Sequence, residues 1–280
     1  MDEDDLAGLY RFIEAAGALK DTLRSARTVA GRTESVAEHS WRLALAAALL
    51  APRTPGLDPL EVDMRAFPLD LPLGLSELVS IPPKAIVVLA GTTNAGKTAF
   101  NLNLLHRNFT RGKALVYLMS EMGHCEYAQR IAAIASPEDW KRHVKAAEKS
   151  ESFDGVVKHH NPDGLTVIDY LEEIEGEYYR IASDIRSVYD ALGQGVAVVT
   201  LQKKSNMAYA MGGESTAQKA RLYLALDNLL HRPGCSVCSI KIVKAKMYPG
   251  KNPNGMERHF TIEGGHKLTP LGEWMYCNDK

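Results

Sequence analysis

The residues most able to do chemistry lie in one octapeptide. Gly91-Thr92-Thr93-Asn94-Ala95-Gly96-Lys97-Thr98 fits the spacing G-x-x-x-x-G-K-[ST] at every fixed position. Its glycines let backbone N–H groups curl around phosphate oxygens without side-chain obstruction. A helix beginning there adds partial positive charge from its N-terminus. Lys97 is placed to reach the β- and γ-phosphates of a nucleotide, and the Thr98 hydroxyl to ligate magnesium. By average composition such a pattern occurs by chance in on the order of one chain in a hundred of this length. A strand before it and a helix after it lower that chance further. The expected ligands are ATP and Mg2+.

Three more positions complete the chemistry. Leu165-Thr166-Val167-Ile168-Asp169 reads as a strand with an acid at its carboxyl end, where ligands of open α/β sheets bind, so Asp169 is the expected magnesium-side carboxylate. Glu121 follows the apolar run Ala114–Met119 directly, where a carboxylate can polarise water for attack on the γ-phosphate. Gln202 ends Val198-Val199-Thr200-Leu201, where an amide can sense that phosphate.

These positions need a scaffold that gathers strand ends. Short apolar runs at Ala85–Ala90, Ala114–Met119, Leu165–Ile168 and Val196–Leu201 predict buried strands. Asn101–Asn108, Tyr127–Ala135 and Tyr178–Leu192 predict helices between them, and Ser239–Ala245 and Arg258–Glu263 further strands. The alternation predicts an α/β fold, a mainly parallel central sheet flanked by helices. Before it, Leu6, Leu9, Phe12, Ile13, Ala16 and Leu19 predict a helix over Asp5–Lys20. Ser35 as N-cap with Glu38 predicts a second over Ser35–Leu50, and Asp58–Phe67 reads as a short third. Pro- and Gly-bearing stretches then mark a junction, so the chain reads as a small helical segment, 1–66, followed by an ATPase domain, 67–280.

The order of these elements resembles the RecA/DnaB-like branch of P-loop ATPases, from about Phe67 to the C-terminus. Met119-Ser120-Glu121-Met122 resembles the post-strand motif whose Glu is the family's catalytic base. Thr166-Val167-Ile168-Asp169-Tyr170-Leu171 resembles the Walker B strand of DnaB-like helicases, and Leu201-Gln202-Lys203 the strand-terminal Gln that relays nucleotide state to DNA-binding loops. Ile242-Val243-Lys244-Ala245-Lys246 resembles the strand that sends a Lys-x-Arg pair to the neighbouring subunit's nucleotide. Lys246 fits the Lys, but Tyr248 stands at the Arg position, leaving Lys244 or Lys251 as substitutes.

The resemblance implies a mobile loop contacting single-stranded DNA over Lys203–Arg221. Lys203, Lys204, Lys219 and Arg221 would neutralise phosphates, with Gly212-Gly213 supplying flexibility. It also implies a homo-oligomeric ring, most simply a hexamer, and a helicase-like motor of replication or recombination in a phage or mobile element. A loader or regulatory switch ATPase that translocates on nothing is the alternative.

Glu34-Ser35-Val36-Ala37-Glu38-His39-Ser40-Trp41-Arg42 resembles the opening of HD-domain phosphohydrolases of the deoxynucleotidase type. His39 would be its first metal ligand. The later His-Asp pair is represented only by Leu69-Asp70, so the ligand set is incomplete and the segment reads as an HD fragment. A phosphohydrolase working through this segment is the third function class.

The formal net charge of −1 excludes a globally basic, nucleic-acid-coating surface, so any such site must be a local cluster. No apolar run approaches the roughly 20 residues needed to cross a bilayer, and the start Met1-Asp2-Glu3-Asp4-Asp5 is acidic, so a cytoplasmic protein without membrane contact is expected. Cys235-Ser236-Val237-Cys238 reads as buried small residues at a strand start rather than a zinc site. His159-His160 is read as a strand end, and Glu172–Glu177 as a solvated helix start.

Overall fold

The computed structural model describes residues 66–169, 178–232 and 234–276, with the backbone of two short strands nearer the N-terminus. Contacts divide the chain into two compact units, Met1–Met64 and Arg65–Lys280. In the first, β1 (Leu23–Arg27) pairs antiparallel with β2 (Thr33–Ser35), a pairing that helical periodicity did not suggest. Ser35 ends that strand, and extended backbone is also what an N-cap residue adopts. The helix expected over Asp5–Lys20, His39 and the acidic run Glu172–Glu177 lie outside the described residues, as do the helices expected over Ser35–Leu50 and Asp58–Phe67 apart from Ser35 in β2 and Ala66 and Phe67, which are not helical.

The second unit is built on a nine-stranded sheet. Its parallel part comprises β3 (Ala85–Gly91), β4 (Leu115–Met119), β5 (Val144–Glu148), β6 (Leu165–Asp169), β7 (Val196–Gln202) and β8 (Ala220–Arg232). Three antiparallel strands extend it: β9 (Cys235–Ala245), β10 (Met256–Glu263) and β11 (Lys267–Tyr276). The spatial order is β11-β10-β9-β8-β3-β7-β6-β4-β5. Every residue of β3 is buried, because both faces are covered. Val87 and Leu89 face one apolar cluster, and Ile86, Val88 and Ala90 face another, as the two-residue strand period requires.

Helices α1 (Lys97–Arg107), α2 (His124–Ala132) and α3 (Pro137–His143) cover the first face with Phe100, Leu104, Leu105, Ile131 and Trp140. On the second face lie α4 (Phe153–His160) and α5 (Tyr178–Ala191), with Phe153, Val157, Ile181, Ile185 and Val188. His159-His160 therefore ends a helix, correcting the strand-end reading. Phe153 and Val157, four residues apart, share its buried side, which is helical rather than strand spacing.

Asp70 belongs to this unit. Its backbone and carboxylate engage the end of α1, through Asn108, Arg107 at 2.9 Å and Arg111 at 3.4 Å. Among the described residues no helix is long and apolar enough to cross a membrane.

Candidate nucleotide site

The parallel strands all point their carboxyl ends the same way, and the chemistry-bearing residues sit on those ends. The octapeptide links β3 to α1. Gly91 is forced by space, because a Cβ there would lie 2.7 Å from Lys97 Cγ. Gly96 carries φ +87°, and a Cβ on it would lie 2.3 Å from Ile262 Cδ1 of β10. Thr92 N–H donates to Leu226 O at 3.1 Å, Asn228 N–H to Thr92 Oγ1 at 3.2 Å, and Asn228 Nδ2 to Asn94 O at 3.1 Å. The Cys238 thiol, pushed up to about 11 by burial, stands 3.9 Å from the same Asn94 carbonyl. The phosphate loop is thus braced from β8, β9 and β10, of which β8 had no counterpart in the sequence reading.

Lys97 Nζ donates to Gly91 O and Thr92 O, each at 3.1 Å, and to Gln202 Oε1 at 2.7 Å. Gln202 Nε2 donates in turn to Thr93 Oγ1 at 3.0 Å. The amide at the end of β7 is therefore wired directly to the lysine and loop that a triphosphate would engage. Asp169, at the end of β6, is buried and accepts a hydrogen bond from Tyr117 Oη at 2.7 Å. Burial raises its carboxyl above the usual range, while hydrogen bonds with Tyr117, Thr98 and Asn101 and the Lys97 charge pull it down. The hydroxyl of Thr98 and the carboxylate of Asp169 are hard oxygen donors close to each other, the chemistry magnesium prefers.

Lys97, Thr98, Glu121, Asp169 and Gln202 all line one cavity of about 1030 Å³, as do Thr93, Asn94, Ala95 and Gly96. The cavity also takes in Arg130 of α2, which pairs with Glu126 at 2.7 Å. Tyr117 and Arg130 were absent from the sequence reading. The one signal for Arg130 was its place nine residues after Glu121, at a helical distance from Glu126.

The chain is similar in structure to a KaiC-like protein from the hyperthermophilic archaeon Pyrococcus horikoshii, with a TM-score of 0.57 over 74% of this chain and 99% of that one, at 16% identity. The fold is RecA-like. Residues 16–66 match the HD domain family, the resemblance noted around His39. No curated protein matches the chain.

The RecA-like unit distributes the remaining basic residues differently from expectation. Lys203 was expected on DNA. Its side chain is 0% exposed, and its ammonium bonds Asp227 Oδ1 at 2.6 Å and Met207 O at 3.0 Å. A cation held that way inside the fold is not available to a phosphate. The segment after it is a crossover that carries the chain from the carboxyl end of β7 to the amino end of β8. It is fastened by Met211 N–H to Gln202 O, by Ala210 N–H to Tyr223 Oη, and by the Tyr209–Tyr223 ring contact. Only Lys204–Ala208 forms a continuous exposed stretch next to Gln202.

Lys219 lies over the Tyr189 ring, and Arg221 is the second residue of β8, whose Ala220 pairs Ile86 while its Leu226 pairs Gly91. At ~3.3 Å per residue this puts Arg221 on the order of 20 Å along the sheet from the phosphate loop. Lys204 and the pair Lys219–Arg221 therefore occupy opposite ends of the RecA-like sheet rather than one patch. Lys246, exposed just past β9, joins the second group: its N–H donates to Arg221 O at 3.0 Å, and both charges lower the half-buried Lys244 ammonium after burial itself.

Proposed function

We propose that the chain is a magnesium-dependent ATPase whose nucleotide state is passed through Gln202 to an exposed segment that contacts single-stranded DNA. The observation carrying this reading is that Lys97, Thr98, Asp169, Glu121 and Gln202, from four different strand ends, line a single cavity. Lys97 would hold the β- and γ-phosphates, and Thr98 with Asp169 the magnesium, which supplies charge neutralisation at the transferring phosphoryl group. Glu121 would take a proton from the attacking water as its oxygen bonds to the γ-phosphorus and the bond to the ADP oxygen breaks. Phosphate entry must compete with Gln202 for Lys97, so release of Gln202 reports occupancy directly to the segment that follows it.

On the far edge, Lys246 with Arg221 beside it is suited to reach the nucleotide of a neighbouring copy, Arg221 standing in for the arginine replaced by Tyr248. Such head-to-tail contacts close into rings or run on as filaments, and a hexameric ring in ATP is our reading. Mixing Lys246→Ala with Glu121→Gln chains should then restore part of the turnover each lacks alone, since some interfaces pair an intact Glu121 with an intact Lys246. No recovery in the mixture would remove Lys246 from the catalytic set.

Strand displacement, and a place in phage or mobile-element replication or recombination, are the finer reading. A loader or switch ATPase is favoured by one observation: on the nucleotide side only Lys204, of the four cations considered, is exposed. The deciding experiment is ATP turnover with and without single-stranded DNA at two salt concentrations. Stimulation that falls with salt and is largely lost in Lys204→Glu supports the DNA reading. Turnover indifferent to DNA supports the switch.

A further inference from the structure

We propose that Tyr117 is the positioning residue of the magnesium site: its phenol fixes the Asp169 carboxylate so that one oxygen is committed to Tyr117 and the other is presented to the metal. The inference rests on the nucleotide reading above and deepens it by adding a residue that never touches nucleotide.

The geometry is specific. Tyr117 lies on β4 opposite Val167, two residues before the Met119–Asp169 pair, so its side chain reaches diagonally to the end of the neighbouring strand. Tyr117 is 0% exposed, and its Oη donates to Asp169 Oδ2 at 2.7 Å. The ring is held by Tyr127 of α2, with centroids 5.6 Å apart, so the hydroxyl has little freedom to turn elsewhere.

Beside Leu115, Val167 and Val198 of the same cluster a phenylalanine would pack as well as a tyrosine, and a buried hydroxyl is costly without a partner. Its one strong partner here is the carboxylate the metal needs. Thr98, the other hydroxyl on Asp169, would turn to the metal on binding, leaving Tyr117, beside the Asn101 amide, to hold the carboxylate. Groups that orient a ligating carboxylate in this way typically carry 10–100-fold in metal affinity. Tyr117 also shares β4 with the segment leading to Glu121, so the same strand sets the metal carboxylate and the proposed base.

The test is a titration of Mg2+ against a fixed concentration of a fluorescent ATP analogue, read as nucleotide binding, on the full chain. Wild type, Tyr117→Phe, Asp169→Asn and the double variant are compared, each with a thermal melt. Tyr117→Phe should raise the magnesium midpoint about 10-fold, without altering metal-free nucleotide affinity. It should add nothing further in the Asp169→Asn background. A midpoint within twofold of wild type, or an equal effect of Tyr117→Phe with and without the Asp169 carboxylate, overturns the positioning role and leaves a packing one. If instead Asp169→Asn itself leaves the midpoint unmoved, the magnesium assignment beneath this inference is what fails.

Discussion

Glu121→Gln is expected to lower ATP turnover by roughly 10²–10⁴-fold, the usual contribution of a positioned general base, while ATP still binds. The amide keeps the size of the side chain at the edge of the cavity but cannot accept the proton that leaves the attacking water. Lys97, Thr98 and Asp169, which would hold the phosphates and the metal, are left as they are. The signature is therefore a loss in kcat with little change in nucleotide affinity, because the interaction removed exists only on the way to products. Lys97→Ala should behave differently, abolishing binding, since the ammonium engages the ligand in its ground state. Wild-type turnover in Glu121→Gln would move the base to another residue of the cavity, whose lining also includes Glu126.

Asp227→Ala is expected to destabilise the RecA-like unit by about 3–5 kcal/mol, the usual cost of leaving a buried charge without its partner. Lys203 would keep only carbonyls, that of Met207 at 3.0 Å and that of Lys204 at 3.5 Å, against a desolvated ammonium. For a unit of this size the melting temperature should fall by on the order of 10 °C. Lys203→Met should cost far less, because Met fills much of the same volume and Asp227, 32% exposed, can turn to water. The asymmetry between the two variants is the diagnostic result; equal and small effects would mean that the pair is not held as the structure has it. The same pair settles which charge reversal is informative on DNA. Lys203→Glu would set a second carboxylate beside Asp227 and report on folding, whereas Lys204→Glu alters an exposed side chain.

What could be read in advance divides along a physical line. The octapeptide, Asp169, Glu121 and Gln202 were legible because each is a local pattern: an apolar strand followed at once by a residue of particular chemistry. The buried parallel strands were legible because burial on both faces leaves near-continuous apolar runs. Edge strands were not. β5, Val-Lys-Ala-Ala-Glu, is exposed at four of five positions, and β11 is exposed or half-buried throughout, so neither carries an apolar signature. The short helices α3 and α4 fell below the length at which periodicity speaks. β8 was hidden because the basic residues leading into it resembled part of a loop. Lys203 was misread for the plainest reason: its partner Asp227 is 24 residues away in sequence and meets it only once β7 and β8 flank β3. No local pattern announces a cation that will be neutralised by a strand two places across a sheet.

The central position of β3 has a consequence for biosynthesis. This strand, Ala-Ile-Val-Val-Leu-Ala-Gly, is the first of the sheet to leave the ribosome, yet both its neighbours come last among the parallel set. Val196, which pairs Ala85, follows about 110 residues later, and Leu226, which pairs Gly91, later still, so at ordinary elongation rates β3 waits roughly 5–20 s for its partners. During that interval a seven-residue apolar strand without charge or proline has both hydrogen-bonding edges open, the composition most apt to pair with other chains. Slower translation lengthens that window, and a chaperone that shields nascent apolar segments should raise the yield of folded protein more than any single stabilising substitution at the surface.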